Sequence, residues 1–383
     1  MKICVLGAGM VGSVIARDLA QDPEFEVLSC DRSAVSLARV AQHGIATTEL
    51  DVTNPEALCA AIANSAVVVN AVPGFLGYQT LETVIGAAVP VVDIAFMPED
   101  FFSLNDLARQ TDVPAIVDFG VAPGMSNVLV GRAASLLEEV IRCEIVVGGL
   151  PRRRSLPWEY TAPFSPVDVL EEYTRPARLV EYGQVVEKRA LSEIEELELP
   201  IVGTLEAFNT DGLRTLIQTV DAPFMRERTL RYPGYAAKIK LLRDSGFLST
   251  EPRHIKGQDI VPFDVTAALL FDAWKLAVDE PEFTVMQVSV EGLLGGLTRR
   301  YTWDLYDEFD APTGMSSMAR TTGFPAAIMA RMLARGEISL RGIIPPENIG
   351  AMPTLFEQVM KELGNRGVRF VETIEDLPRG IGA

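Results

Sequence analysis

Lys2-Ile3-Cys4-Val5-Leu6-Gly7-Ala8-Gly9-Met10-Val11-Gly12-Ser13, near the start of the chain, carries the most specific local pattern in the sequence. The first five residues are apolar and partly β-branched, the pattern of a strand buried on both faces. A G-x-G-x-x-G follows at once, and residues 13–21 have helical composition. Strand, glycine loop and helix in that order are the context in which this motif binds a dinucleotide. Gly7 permits the tight turn, Gly9 lets the backbone approach a pyrophosphate, and Gly12 allows close helix–strand packing. Met10 and Val11 sit where the helix N-terminus offers unpaired N–H groups and partial positive charge to phosphate. A second apolar run, 26–30, ends at Asp31, nineteen residues beyond Gly12. An acid there accepts hydrogen bonds from the adenosine ribose and repels a 2′-phosphate, which favours NAD over NADP; the neighbouring Arg32 argues the other way.

The rhythm continues outward from this unit. Residues 34–42 read as a helix closed by Gly44, and 45–50 as a third strand running to Asp51 and Val52. Asp51 is placed to meet the adenine amino group, with capping of the helix near Pro55 as its competing role. Residues 66–70 form a fourth strand and lead into Asn70-Ala71-Val72-Pro73-Gly74, a loop at the carboxyl end of the sheet, where such folds hold ligands. A helix over 81–88, a strand over 90–93, helix over 100–110 and a strand over 114–117 ending at Asp118 complete the series. Six strands alternating with helices predict an α/β fold, a Rossmann-type doubly wound parallel sheet.

After Asp118 the alternation stops. A longer helix over 124–137 and a strand over 143–147 precede Arg152-Arg153-Arg154, which reads as a solvated loop. Strands are expected over 201–208 and 224–232, and a hairpin turning at Leu294-Gly295-Gly296 joins two alternating runs between 283 and 306. Helices fit 213–219, 235–245 and 265–277. These elements describe an α+β substrate-binding and dimerisation domain with a largely antiparallel sheet, residues 124–313. Strong helices at 315–334 and 355–363 return the chain to the Rossmann domain, which then comprises 1–123 and 314–383.

Composition narrows the function. The chain has 383 residues, 48% of them hydrophobic, with 34 Lys and Arg against 52 Asp and Glu and a net charge of −18. That excess opposes nucleic acid and anionic membrane as partners. No apolar run is long enough to span a bilayer and no secretory signal is visible. The four cysteines form no C-x-x-C pair and read as core residues of a reduced, cytoplasmic protein; no metal site is indicated. With two histidines in the whole chain, His43 and His254, both in surface contexts, proton transfer falls to other groups.

Asp118-Phe119-Gly120-Val121-Ala122-Pro123-Gly124-Met125-Ser126-Asn127, taken with the first glycine loop, resembles the saccharopine dehydrogenase-like family, and within it the L-lysine 6-dehydrogenase branch. Gly148-Gly149-Leu150-Pro151, Leu205-Glu206-Ala207-Phe208, the run from Leu230 through Lys238 to Leu242, Met318-Ala319-Arg320-Thr321 and Gly342-Ile343-Ile344-Pro345-Pro346-Glu347 extend the likeness over most of the chain. It implies a nicotinamide-dependent amino-acid dehydrogenase, dimeric or larger. The lysine enzymes carry His-Thr after the Phe208 position, where this chain has Asn209-Thr210, and a glycine pair where it has Ala95-Phe96. Both changes bear on the substrate more than on the reaction.

Amine oxidation requires the neutral amine, so the site must desolvate an ammonium and accept its proton. Asp118 at a strand end is the first candidate, with turn capping as its competing role. Glu206 and the pair Glu159-Tyr160 are placed to hold the amine, with Asn209 beside them. Arg231, Lys238 and Arg320 are the cations for a substrate carboxylate, Arg offering the bidentate fork. Asn70 to Pro73, with Val121 and Pro123, are expected around the nicotinamide. The expected reaction is NAD-dependent deamination of a terminal primary amine on a small amino acid or diamine. The alternatives are reductive condensation of an amino acid with an oxo-acid, as saccharopine or carboxynorspermidine dehydrogenases perform, and a non-catalytic NAD-binding protein.

Overall fold

The structure, a computed structural model, describes residues 1–162, 166–277 and 280–377. It divides into two compact units. The first comprises Met1–Ser135 and Ala319–Arg369; the second runs from Leu136 to Met318 and resumes at Phe370.

The first unit begins with β1 (Lys2–Leu6), α1 (Met10–Leu19), β2 (Glu26–Asp31), α2 (Ala34–Ala41) and β3 (Ala46–Glu49). Then come α3 (Pro55–Ile62), β4 (Val67–Asn70), α4 (Gly74–Gly86), β5 (Val91–Asp93), α5 (Asn105–Gln110), β6 (Pro114–Ile116) and α6 (Met125–Leu136). All strand pairs in it are parallel, and β1 lies at the centre, between β2 and β4. Ile3, Cys4, Val5 and Leu6 are fully buried, as a central parallel strand covered on both faces requires. The sheet has seven strands rather than six: Gly342–Ile344 pairs with β6 at its edge. Three residues are too few to show a period, so that strand is silent in the sequence.

The second unit holds β7 (Glu139–Pro151), α7 (Pro166–Thr174), β8 (Ala177–Glu181), β9 (Gln184–Lys188), β10 (Glu195–Leu199), β11 (Gly203–Asn209), α8 (Leu216–Thr219) and β12 (Phe224–Arg231). It continues through α9 (Tyr235–Asp244), a small hairpin of β13 (Arg253–Ile255) and β14 (Gln258–Ile260), α10 (Pro262–Ala273), β15 (Glu282–Leu294) and β16 (Leu297–Glu308). Its large sheet runs β10-β11-β12-β7-β15-β16, with β8 and β9 attached at β12. The pair β12–β7 is parallel and the others are antiparallel. The β15–β16 turn falls on Gly295 and Gly296, both at positive φ, 59° and 77°, as a two-residue hairpin loop demands. Alternation along β12 separates two layers. Leu230 packs with Val146, Leu205 and Val285 in one apolar cluster, while Phe208, Tyr173, Tyr235 and Trp274 form another.

The chain then returns with α11 (Ser317–Ala334), β17 (Gly342–Ile344), α12 (Pro346–Ala351) and α13 (Pro353–Asn365), and ends on β18 (Phe370–Leu377). The units change at Leu136 and at Ala319, where 124 and 314 are expected, and a further change falls at Phe370. Helix α6 belongs with the first unit because glycines let it close on α12: a Cβ on Gly131 would meet the Glu347 backbone at 2.1 Å, and one on Gly350 would meet Val128 O at 1.9 Å. Strand β18 leaves the first unit and pairs antiparallel with β16 from Leu377 opposite Thr298 to Phe370 opposite Leu305. The return segment is tied into the first unit by charge. Buried Asp18 on α1 is bound by Arg331 of α11 and, at 2.9 Å, by Arg366 beyond α13.

Candidate functional site

In the first unit the glycine loop has the shape of a dinucleotide cradle. Gly7 lies at φ +101°, and a Cβ there would meet Ala71 O at 2.4 Å; one on Gly12 would meet Gly7 O at 2.0 Å. Gly9 differs, because nothing lies within 4 Å of its missing Cβ. Two of the glycines therefore let backbone pack on backbone, and the middle one faces open space, the position at which a pyrophosphate approaches. Helix α1 starts at Met10 with no side-chain cap, and Met10 and Gly9 are exposed while Val11 is partly so, leaving the positive end of the helix to a ligand. Asp31 accepts from Ala8 N–H and from Ser33 N–H, each at 2.7 Å. Its carboxylate is thereby fixed beside the glycine loop, and it remains partly exposed. These residues fit a dinucleotide.

The strand ends next to the loop are more tightly built than the sequence suggests. Asn70 is fully buried; its amide donates to Asp93 Oδ1 at 2.6 Å and to Gly77 O at 3.3 Å. Ala71, Val72 and Pro73 are all that separate β4 from α4, which begins at Gly74 rather than near Leu81. Asp51 does not cap α3. Asn54 does, accepting from Ala57 N–H, whereas Asp51 is exposed and accepts from the Thr53 N–H and hydroxyl, which hold its pKa below the usual range. Val52 packs against the core beside it. Asp118 follows β6 in the left-handed region, φ +51°, and is buried. Val121 is buried, and Ala122-Pro123 is a cis peptide in a loop so close that a Cβ on Gly124 would meet Gly120 O at 2.1 Å.

In the second unit the polar residues of β11 and β12 meet under the helical layer. Glu206 lies opposite Arg231 in the register, but it turns to the start of α9. One carboxylate oxygen accepts from Gly234 N–H at 2.8 Å and the other from Ala236 N–H. It caps a helix that has no cap of its own, a task of about 0.5–2 kcal/mol. Arg231 is buried and satisfied inside the unit. It donates to Leu230 O at 2.8 Å, to the Tyr173 hydroxyl at 3.0 and 3.2 Å and to Glu172 at 3.3 Å, with the Tyr160 ring 4.6 Å from its guanidinium carbon. Tyr160 packs on Tyr235 and Trp274, and burial pushes its pKa well above the usual value, so it is no base at neutral pH. Asn209 is likewise internal, donating to Ser192 Oγ at 3.1 Å and Glu193 at 3.0 Å. Arg320, in the first unit, donates to Arg366 O at 3.2 Å and lies over the Phe324 ring. The sequence-level candidates are thus split between two places, and several build the site rather than face a ligand.

Two acids in this layer are invisible to sequence motifs. Burial pushes Glu172 up to about 7 despite the neighbouring Arg231, and Glu227 up to about 8 despite the Thr210 hydroxyl that donates to it at 2.7 Å. Both titrate near neutrality, where proton exchange is most effective. The pattern that marks them is periodicity: Glu172 flanks the inward face of α7 formed by Val169, Leu170 and Tyr173, and Glu227, Thr229 and Arg231 alternate on one side of β12. Outside this layer, Glu159 pairs with Arg154 at 2.8 Å and Lys238 at 3.4 Å, and those cations hold its carboxyl below the usual range. His254 pairs with Asp259 on the exposed β13–β14 hairpin, and His43 is exposed. Among the described residues no group of His, Cys, Asp and Glu is arranged to hold a metal, and no helix is long and apolar enough to cross a membrane.

Comparison with known proteins follows both units. The Saccharopine dehydrogenase NADP binding domain model matches residues 3–116, and the Saccharopine dehydrogenase C-terminal domain model matches residues 120–368. The chain is 21% identical to carboxyaminopropylagmatine dehydrogenase of Synechocystis sp., covering 97% of this chain and 98% of the relative. It is also 21% identical to the NADP(+), L-glutamate-forming saccharopine dehydrogenase of Saccharomyces cerevisiae, over 95% and 97% of the two chains. Mouse mitochondrial alpha-aminoadipic semialdehyde synthase is 22% identical over 94% of this chain but only 47% of its own length. The solved apo structure of the yeast saccharopine dehydrogenase has the same fold, with a TM-score of 0.80 over 98% of this chain at 19% identity. With a nucleotide cradle at its start and both domain models matched in order, the chain belongs to the saccharopine dehydrogenase family of nicotinamide-dependent amino-acid oxidoreductases.

Proposed function

We propose that this protein exchanges a hydride between NAD and the carbon–nitrogen bond of a secondary amine that joins an amino acid or other amine to an oxo-acid. The observation that carries this reading is the match of the second unit as well as the first: residues 120–368 follow the family's C-terminal domain. A nucleotide loop by itself fits many activities. Saccharopine and carboxyaminopropylagmatine, for which two full-length relatives are named, are both secondary amines carrying carboxylates. This supports condensation, or its reverse, over the deamination of lysine, which rests on the resemblance of short segments. The preference for NAD rests on Asp31, fixed beside the glycine loop.

NAD held by the Gly7–Gly12 loop and Asp31 would supply the hydride acceptor for the carbon beside the amine nitrogen. The C=N bond so formed takes up water and separates into an amine and a carbonyl compound, an oxo-acid or an aldehyde; condensation is the same path reversed. The protein's part is to bind, orient and exchange one proton, because the amine must give up its proton before hydride departure. We assign that exchange to Glu172, whose side chain is mostly buried, 18% exposed, and held by Arg231 at 3.3 Å. Arg231, Tyr160 and Glu206 are then positioning residues, which fix Glu172 and the start of α9. Asp118 is the acid proposed on the nucleotide-binding unit, since a left-handed φ at a buried non-glycine residue is strain of the kind found at functional sites.

The test is a matrix of amines (lysine, ornithine, agmatine, putrescine) against oxo-acids and aldehydes, followed by the absorbance of reduced nicotinamide and by ammonia release. The expected result is NADH consumption that requires both partners and releases no ammonia. NADH formation with ammonia from a single amine would replace this reading with oxidative deamination.

A further inference from the structure

The Arg152-Arg153-Arg154 triplet, a loop in an otherwise acidic chain, contains one arginine that is fixed while its donor end stays open. The Arg154 guanidinium carbon lies 4.6 Å from the centre of the Tyr232 ring. Its Nε donates to Glu159 Oε1 at 2.8 Å. The same carboxylate holds Lys238 at 3.4 Å through its other oxygen. Glu159 thus occupies the inner edge of the guanidinium and leaves Nη1 and Nη2 without a hydrogen bond among the described residues. The Arg154 side chain is 49% exposed and that of Lys238 32%. Tyr232 is fixed in turn, its hydroxyl donating to Pro151 O at 3.0 Å. Arg152 belongs to a separate pair with Glu308 at 2.9 Å. The local charge is two cations to one anion, in a chain whose net charge is −18.

An exposed arginine on a flexible stem loses side-chain entropy when it captures an anion. Arg154 has already lost it, because the aromatic platform sets its plane and the ion pair sets its direction. What remains open is the two-pronged end that matches a carboxylate, with an ammonium beside it. We propose that Arg154 and Lys238 form an anchor for a substrate carboxylate, with Glu159 and Tyr232 as the residues that position it. This rests on the condensation reading above and gives it content: such a substrate carries at least one carboxylate, and Arg231, buried and internally satisfied, is not available to bind it.

Binding of glutarate and L-glutamate to the full-length protein, with and without NAD, tests the anchor by calorimetry and by the fluorescence of Trp158, next in sequence to Glu159. Arg154→Gln is expected to weaken carboxylate binding by about tenfold or more and to leave NAD binding unchanged. Arg154→Lys is expected to recover little, since a point charge does not replace the fork. Tyr232→Leu, which removes the platform, is expected to weaken binding, and Tyr232→Phe, which keeps the ring but loses its hydrogen bond to Pro151, to weaken it less. Carboxylate affinity unchanged in Arg154→Gln, or no carboxylate binding by the unaltered protein, overturns the proposal. The two readings fail separately. Loss of glutarate binding in Arg154→Gln without turnover on any amine and oxo-acid pair keeps the anchor and removes the reaction. Turnover whose KM for the oxo-acid ignores Arg154→Gln does the reverse.

Discussion

Asp31 and Glu227 show how one carboxyl group is set to different work by its surroundings. Asp31 accepts two backbone N–H groups and stays partly exposed; in the proposed function it would accept ribose hydroxyls and oppose a 2′-phosphate. Asp31→Ala should weaken NAD binding and narrow the gap to NADP; titration of both nucleotides checks this, and equal NADP affinity in the unaltered protein would remove the assignment. Glu227 is buried at 4% exposure, with the Thr210 hydroxyl on it and Asp211, Glu172 and Arg231 around it. Burial dominates and raises its pKa from 4.5 to about 8. A raised carboxyl binds its proton more tightly folded than unfolded, so its contribution to stability is complete below the unfolded value and lost as pH rises to the folded one. Glu227→Gln keeps an acceptor for Thr210 and cannot ionise. Its melting temperature should therefore fall less than that of the unaltered protein between pH 5 and about 8; parallel curves would show that Glu227 does not titrate in this window.

At the scale of elements, the glycine loop separates folding from binding. Gly12 closes on Gly7 O, and Gly9 faces open space. Gly12→Ala should lower the melting temperature and abolish nucleotide binding together, while Gly9→Ala should melt close to the unaltered protein and still bind NAD poorly. Equal NAD affinity in Gly9→Ala would mean that the pyrophosphate does not pass there. This loop was fully legible, because β1, G-x-G-x-x-G and α1 each carry a local pattern and the patterns agree. The hairpin at Gly295-Gly296 was legible for the same reason. What the sequence hid was decided by distant partners. Glu206 reads as a site acid until the start of α9 is seen to lie against it. Arg231 reads as a ligand cation until Tyr160, Tyr173 and Glu172 surround it. Arg154 reads as solvated loop until Tyr232 lies beneath it. Strand β17 is too short for any period, and β18 reads as tail until its pairing with β16 is known. Local preference names elements and partners choose roles, which is why the nucleotide half is more legible in the sequence than the substrate half.

For the whole molecule, the first unit is assembled from both ends of the chain, and its integrity depends on a buried charge that neither end satisfies without the other. Asp18 is 2% exposed on α1, inside the amino-terminal segment. Its partners, Arg331 and Arg366, come from the returning segment more than three hundred residues later. The same segment supplies β17 at the edge of the parallel sheet and the backbone of α12 on which Gly131 closes. A chain ending at Met318 would retain every residue of the glycine loop yet lose both cations of Asp18 and the helix that packs on α1 at Val11 and Ile15. Removing the partners of a buried charge costs about 3–5 kcal/mol, comparable to much of a domain's stability of about 5–15 kcal/mol. That truncated chain should therefore fail to bind NAD in calorimetry. Arg331→Met together with Arg366→Met in the full chain isolates the charge from the missing strand and helices: the pair should lower the melting temperature more than Arg331→Met alone, which leaves Arg366 on Asp18, and Asp18→Asn in the double background should restore part of the loss, because the uncompensated charge is then gone. If the truncated chain binds NAD as the full chain does, the nucleotide site is complete without residues 319–383 and the return segment serves some other end.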